Sequence, residues 1–279
     1  MNWAVDSIGS GAAITSVQPL HGDQGPWRLS VDVRGRSRHF VLRSLTPRID
    51  AELIATGAAA LEVAELHRLR APRLIAKDLA GRAAGVPATL ETVATGNTTW
   101  PRALSVARLR GAGAALAQVH AIQLAPGPHL PLRTRPIAVD NFARDRLLGR
   151  MPTSPLLRQA DEVIRSIPQP QGDNVFVHGD VWPGNVAWTD GDGCTLIDWK
   201  TAGVGNPGVD LGELRKQIAI TYGATTTDIV EAWEEASGTA AANIPYWDAV
   251  AALNTPTTLY SREATARRDA FLQAALDQL

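Results

Sequence analysis

The stretch Val177-His178-Gly179-Asp180-Val181-Trp182-Pro183-Gly184-Asn185, followed by Leu196-Ile197-Asp198-Trp199, decides how this 279-residue chain is read. Short strands are expected at residues 175–178, 186–188 and 195–199, so these side chains fall in one strand–loop–strand unit. Taken singly, each polar residue has a structural use: Asp180 caps a turn, Asn185 supports a loop, Asp198 ends a strand. In this order they meet a chemical need. One carboxylate orients a hydroxyl and accepts its proton, while an amide oxygen and a second carboxylate are hard oxygen ligands of the kind Mg²⁺ prefers over His or Cys.

Composition narrows the surroundings of that unit. Hydrophobic residues make up 45% and charged residues 20%, an ordinary globular balance. No run approaches the roughly 18 apolar residues of a membrane span, and the N-terminus Met1-Asn2-Trp3-Ala4-Val5-Asp6 lacks the form of a secretion signal. A soluble, cytoplasmic protein with no membrane partner is expected. Cys194 is the only cysteine, which excludes an intrachain disulfide and a thiolate zinc cluster. A net charge of -1 argues against a nucleic-acid partner. Residues 201–279 hold ten acids against five bases, leaving the first 200 residues net positive.

Working outward, residues 1–95 read as a β-rich lobe. Strands are expected at 13–17, 27–33, 39–44, 73–76 and 88–93, with a hairpin turn at Arg34-Gly35-Arg36-Ser37 and one helix over 50–70 that ends before Pro72. From 96 to 279 the chain reads mainly as helix. A start is expected at Thr98-Thr99-Trp100-Pro101, with helical spacing through Leu109, Ala112, Leu116 and Val119. Further helices are expected at 141–149, at 155–167 and from Asp210 onward, with breaks near Gly223, Ser237-Gly238 and Pro256. Gly203-Val204-Gly205-Asn206-Pro207-Gly208 matches a dinucleotide fingerprint letter for letter. It does not open directly from a strand within a βαβ unit, so it reads as a turn-rich segment. No Walker A, H-E-x-x-H or G-x-S-x-G pattern is present.

Asp180 and Asn185 keep the separation of the protein-kinase loop pattern H-R-D-x-x-x-x-N, and Asp198 stands where that pattern has a later metal-binding Asp. On His178-Gly179-Asp180 with Asn185, on Ile197-Asp198-Trp199, and on Gly203 through Asp210-Leu211, the chain resembles the aminoglycoside phosphotransferase and choline kinase-like family. Leu116-Ala117-Gln118-Val119-His120 and Leu61-Glu62-Val63-Ala64-Glu65-Leu66 are weaker echoes. The resemblance implies an α+β, two-lobed protein-kinase-like fold: a small antiparallel-sheet N-lobe with one helix, binding nucleotide, and a larger, mainly helical C-lobe with the catalytic loop and acceptor site. It implies Asp180 as catalytic base, Asn185 and Asp198 as Mg²⁺ ligands, His178 and Asp210 as loop braces, and ATP or GTP as phosphate donor.

The chain departs from that pattern in the first lobe. Its lysines are Lys77, Lys200 and Lys216, none on the expected third strand, where Arg43 stands instead. An arginine keeps the charge and grips phosphate oxygens bidentately. Glu62 is expected to be its partner, with Glu52 and Glu65 as alternatives. Leu20-His21-Gly22-Asp23-Gln24-Gly25-Pro26-Trp27 is the candidate phosphate-covering loop, and Glu91-Thr92-Val93 the hinge whose backbone, Glu91 and Val93 included, would bind the base. Lys200 reads as a solvated side chain.

For the acceptor, Glu231, Glu234 and Glu235 would suit an amino-bearing molecule, and Trp182 could stack on a sugar face. Trp233 and Trp247 could likewise stack on sugar faces, core packing being the default for each of the three. The leading expectation is a kinase acting on a hydroxyl of an aminoglycoside-type antibiotic or amino sugar, a resistance function. The alternatives are a metabolic kinase for choline, ethanolamine or another small alcohol, and a pseudokinase serving as a nucleotide-binding regulatory module.

Overall fold

A computed structural model describes residues 1–20, 22, 25–99, 102–189, 193–223 and 226–279. The candidate loop residues His21, Asp23 and Gln24, and Trp100 and Pro101 of the expected helix start, lie outside the described residues. The chain divides into two units, one sheet-rich and one mainly helical, the two-lobed α+β architecture of the protein-kinase-like fold. The first unit comprises Met1–Thr95 and Thr195–Lys200, and the second Gly96–Cys194 and Thr201–Leu279. Thr195–Lys200, which carries Asp198, thus clusters with the first unit although it lies far along the chain.

In the first unit a short helix α1 (Asn2–Ile8) precedes strands β1 (Ala12–Pro19), β2 (Trp27–Val33) and β3 (Arg36–Ser44). Helix α2 (Ala51–Leu66) follows, then β4 (Leu74–Asp78) and β5 (Ala88–Thr92). The strands form one antiparallel sheet in the order β1-β2-β3-β5-β4. Between β2 and β3 the chain reverses at Arg34-Gly35, both at positive φ, the two-residue turn whose twist matches that of the strands. Period-two alternation sorts the sheet into two faces. Leu29, Val31, Phe40, Leu42, Ala88 and Leu90 form a core with Ala4 of α1. Arg43, Thr89 and Glu91 have the opposite parity and line a small enclosed space with Ile54, Gly57 and Leu61 of α2. α1 was not foreseen: at seven residues it shows little periodicity, and burial of Ala4 in the sheet core stabilises it more than local propensity does. α2 begins where Asp50 caps it, its side chain accepting from the Leu53 amide at 2.9 Å.

In the second unit α3 runs over Val106–His120, later than the expected start, because Ser105 caps the Arg108 amide. The elements that follow are β6 (Leu132–Arg133), α4 (Phe142–Leu147), α5 (Pro155–Ser166), β7 (Val175–Val177) and β8 (Val186–Trp188). β9 (Cys194–Leu196) carries the chain into the first unit, and β10 (Gly203–Gly205) follows its return. Helices α6 (Gly208–Tyr222), α7 (Thr227–Ser237), α8 (Ile244–Leu253) and α9 (Arg262–Leu276) complete the unit. The expected turn-rich segment at Gly203–Gly205 is instead a buried strand, paired in parallel with β6 and antiparallel with β7. Two-residue partners such as β6 leave no strand-length signal in sequence. The helical spacing read for α3 buries Leu109, Ala112, Leu116 and Val119, and α5, α8 and α9 share a core of Leu157, Ala249, Leu253 and Leu272. Among the described residues no helix is long and apolar enough to cross a membrane.

Candidate active site

Two groups of polar side chains stand out, one in each unit. In the second, β7 ends at Val177 and the chain enters a loop built around Asp210, in the first turn of α6. Asp210 is fully buried. Its Oδ2 accepts the His178 amide at 2.7 Å and its Oδ1 the Gly179 amide at 2.7 Å. Gly179 takes φ +80°, and a Cβ there would lie 2.3 Å from the Thr201 carbonyl, so both conformation and space require glycine. The third donor to Asp210 is His120 Nε2, at 3.1 Å. Trp233 Nε1 donates to His120 Nδ1 at 2.9 Å, and because an indole N–H only donates, Nδ1 is the accepting nitrogen and Nε2 the one that faces Asp210 as donor. Burial pushes the Asp210 carboxyl up; the His120 hydrogen bond, with the His178 and backbone contributions, outweighs it and holds the group below the usual aspartate value.

The brace fixes the loop that follows. The Asp180 amide donates to the buried His178 Nδ1 at 3.3 Å. A short 3-10 turn over Pro183–Asn185 returns Asn185 to Asp180, where its Nδ2 donates to the Asp180 carbonyl at 2.9 Å and to Oδ2 at 3.1 Å. Both amide protons face Asp180, so Asn185 presents Oδ1 as its remaining acceptor. The structure therefore brings His178, Asp180, Asn185 and Asp210 together. Sequence reading missed a second support. The Ile137 amide donates to the Gly179 carbonyl at 2.7 Å from a backbone at φ +53°, sparsely populated for a β-branched residue. Arg135 and Asn254 hold that turn through the Ile137 and Pro136 carbonyls, each at 2.7 Å. Nothing in the proline-rich connector marks this role.

The other group lies in the first unit. Arg43 is 15% exposed, its Nε hydrogen-bonded to Glu91 and its Nη1 to Asp198 Oδ1 at 2.8 Å. Lys200 Nζ holds the other Asp198 oxygen, Oδ2. Burial works against the Arg43 charge, but Glu91 and Asp198 outweigh it and the guanidinium holds its proton more tightly than usual. Burial pushes the Glu91 carboxyl up, and Arg43 only partly offsets this.

These contacts correct the sequence reading. Glu62 does not pair with Arg43; it faces out and pairs with Lys77, as Glu65 does with Arg73. The face of α2 toward Arg43 carries Leu53, Gly57 and Leu61, with no acid among them. Glu91 is not a hinge residue with an open backbone: it lies between Val41 of β3 and Leu74 of β4, and its side chain serves Arg43. The signal existed, since an acid of Arg43's parity stands diagonally from it once β3 and β5 are in register. Val93 lies just past β5, 39% exposed. Lys200 is not solvated, being 18% exposed and paired.

The acceptor candidates are otherwise engaged. Glu231 and Glu235 pair with Arg110 of α3, and Glu234 Oε1 accepts the Ala241 amide at 2.8 Å. The Trp182 ring lies over Gly184 of the 3-10 turn. Trp233 and Trp247 are buried at 5% and 1% exposure.

Glu91→Gln is expected to weaken Mg²⁺–nucleotide binding about tenfold by loosening Arg43, and Glu62→Ala to leave it within about twofold. Calorimetric titration of both variants checks this, and equal losses would restore Glu62.

A family model described as the phosphotransferase enzyme family matches residues 16–253. No curated protein sequence matches the chain. Among solved structures, it is similar to a macrolide 2'-phosphotransferase from Brachybacterium faecium, with 19% identity, TM-score 0.62, and coverage of 100% of this chain and 99% of that one. A microcompartment-associated aminopropanol kinase matches at 14% identity and TM-score 0.60, over 98% and 94%. Plasmodium vivax ethanolamine kinase matches at 13% identity and TM-score 0.60, over 95% and 82%. At these identities the likeness is one of fold.

Proposed function

The chain belongs to the phosphotransferase enzyme family, and from that premise we propose that it transfers the γ-phosphoryl group of ATP or GTP to a hydroxyl of a small amino-bearing molecule, an aminoglycoside-type antibiotic or amino sugar first. The observation that carries this reading is the loop in which Asp210 fixes His178 and Gly179 while Asn185 spends both amide protons on Asp180. Asp180 then accepts the proton of the acceptor hydroxyl as its oxygen attacks phosphorus. Asn185 Oδ1 in the second unit and the Asp198 carboxylate in the first are each a hard oxygen donor of the type Mg²⁺ takes, so each residue fits that ion. Mg²⁺ held by such donors would neutralise phosphate charge during transfer. Arg43, held by Glu91, is the side chain assigned to the donor phosphates, and the backbone near Val93 to the base.

A second reading, a kinase for choline, ethanolamine or another small alcohol, is favoured by one observation. Glu231 and Glu235 of α7 share Arg110, and Glu234 accepts the Ala241 amide, so one of the three carboxylate charges is offset, which lessens the acidic surface that would attract a polycation. Nucleoside diphosphate release from ATP and GTP, measured against aminoglycosides, amino sugars, choline analogues and other small alcohols, tests both readings, with Asp180→Ala as blank. Acceptor-dependent release is expected with one of these classes. Tight Mg²⁺–nucleotide binding without transfer to any acceptor would instead favour the pseudokinase.

A further inference from the structure

Asp198 is the candidate metal ligand of the first unit, yet both its carboxylate oxygens already face cations. Arg43 Nη1 holds Oδ1 at 2.8 Å and Lys200 Nζ holds Oδ2. Glu91 completes the set through Arg43, so two acids and two bases close a neutral, mostly buried cluster. The backbone of Lys200 lies beside Gly57 of α2: a Cβ at residue 57 would stand 3.6 Å from the Lys200 Cα, an ordinary contact. The short 3-10 turn Trp199–Thr201 that begins beside it is anchored by Trp199 Nε1, which donates to the Leu196 carbonyl at 3.0 Å. Asp198 itself takes φ +66°, the left-handed region that Asp adopts more readily than most non-glycine residues, and both its carboxylate oxygens are ion-paired.

We propose that Lys200 is a resident cation that occupies Asp198 Oδ2 and excludes a free divalent ion, so that the metal enters only together with a nucleotide polyphosphate. A divalent ion added alone would compete with an ammonium already in place and leave the cluster two charges positive in a poorly solvated position. A polyphosphate changes both terms: it supplies the missing negative charge, and it offers Lys200 a new partner once the lysine leaves Oδ2. Metal and nucleotide then bind with positive coupling, and Lys200 is the source of it. The inference rests on the assignment of Asp198 as a metal ligand made above.

Mn²⁺ serves as the probe, with the unbound ion quantified by electron paramagnetic resonance on the full chain. Without nucleotide, Lys200→Gln is expected to bind Mn²⁺ at least about tenfold more tightly than the unaltered chain, within the usual range for coupled sites. Lys200→Arg, which keeps the cation, is expected to behave as the unaltered chain does. A non-hydrolysable ATP analogue is expected to tighten Mn²⁺ binding in the unaltered chain, and to do so by a smaller factor in Lys200→Gln. Equal Mn²⁺ affinity in Lys200→Gln and the unaltered chain overturns the proposal, as does a gain shared by Lys200→Arg. Asp198→Asn added to Lys200→Gln should erase the gain; a gain that survives it places the ion elsewhere and overturns the proposal through the ligand assignment. None of these readouts uses turnover, so a chain that fails to phosphorylate any acceptor yet shows the Lys200 effect separates the two conclusions. Thermal melts of each variant confirm that it is folded.

Discussion

Asp180→Ala is expected to lower kcat by about 10²- to 10⁴-fold, the usual contribution of a positioned general base, with nucleotide affinity nearly unchanged. The structure explains why the loss should fall on chemistry alone. Asn185 Nδ2 bonds both the Asp180 side chain and its main-chain carbonyl, and only the first contact disappears in the variant. The His178 and Gly179 amides remain on Asp210, so the loop keeps its path. Asp180→Asn is the companion variant, similar in shape but unable to accept a proton. Single-turnover rates and a nucleotide titration on both variants make the measurement. Turnover equal to that of the unaltered chain in either variant would remove the base assignment, and a parallel loss of nucleotide affinity would move Asp180 to binding.

Asp210→Ala carries the largest expected effect on stability. The fully buried carboxylate accepts the His178 amide, the Gly179 amide and His120 Nε2, and alanine leaves three buried donors without a partner. At about 1 kcal/mol or more for each, the cost is at least about 3 kcal/mol. That corresponds to a fall in Tm of roughly 6–12 °C for a unit of this size. Because the native carboxyl is held below the ordinary aspartate value, its contribution is fully present above the unfolded value, about pH 4, and is lost as pH falls through the lower native value. The difference in Tm between Asp210→Ala and the unaltered chain should therefore be constant from neutral pH down to about pH 5 and shrink below it. A Tm within about 2 °C of the unaltered chain at pH 7 would show that other groups hold the loop.

Legibility followed sequence distance. His178, Asp180 and Asn185 lie within eight residues, so their mutual placement depends on one local loop, and the pattern of residue types announces it. Strand β2 and the buried stripe of α3 were legible for a similar reason, since alternation and helical spacing are local consequences of burying one face. The three-residue strands β7, β8 and β9 were expected as well, but β6 and β10 were not: each forms on a partner that the tertiary fold supplies, and Leu132-Arg133 and Gly203-Val204-Gly205 carry no apolar run to read.

The ion pairs around Arg43 show the limit most clearly. From sequence, Glu62 was the natural partner, since it lies on the helix where an acid was expected. Its identity says nothing about which way α2 is rotated. The packing of Ile54, Ala58, Leu61 and Ala64 sets that rotation, turning Gly57 and Leu61 toward Arg43 and Glu62 toward Lys77. By itself, then, the sequence determined the family, the two-lobed fold and the loop in which Asp180 meets Asn185, because those rest on local order and spacing. Only the tertiary structure decided that Glu91 holds Arg43 and that Arg43 reaches Asp198. Those contacts depend on strand register, helix rotation and the return of a segment more than 150 residues away, which no local pattern encodes.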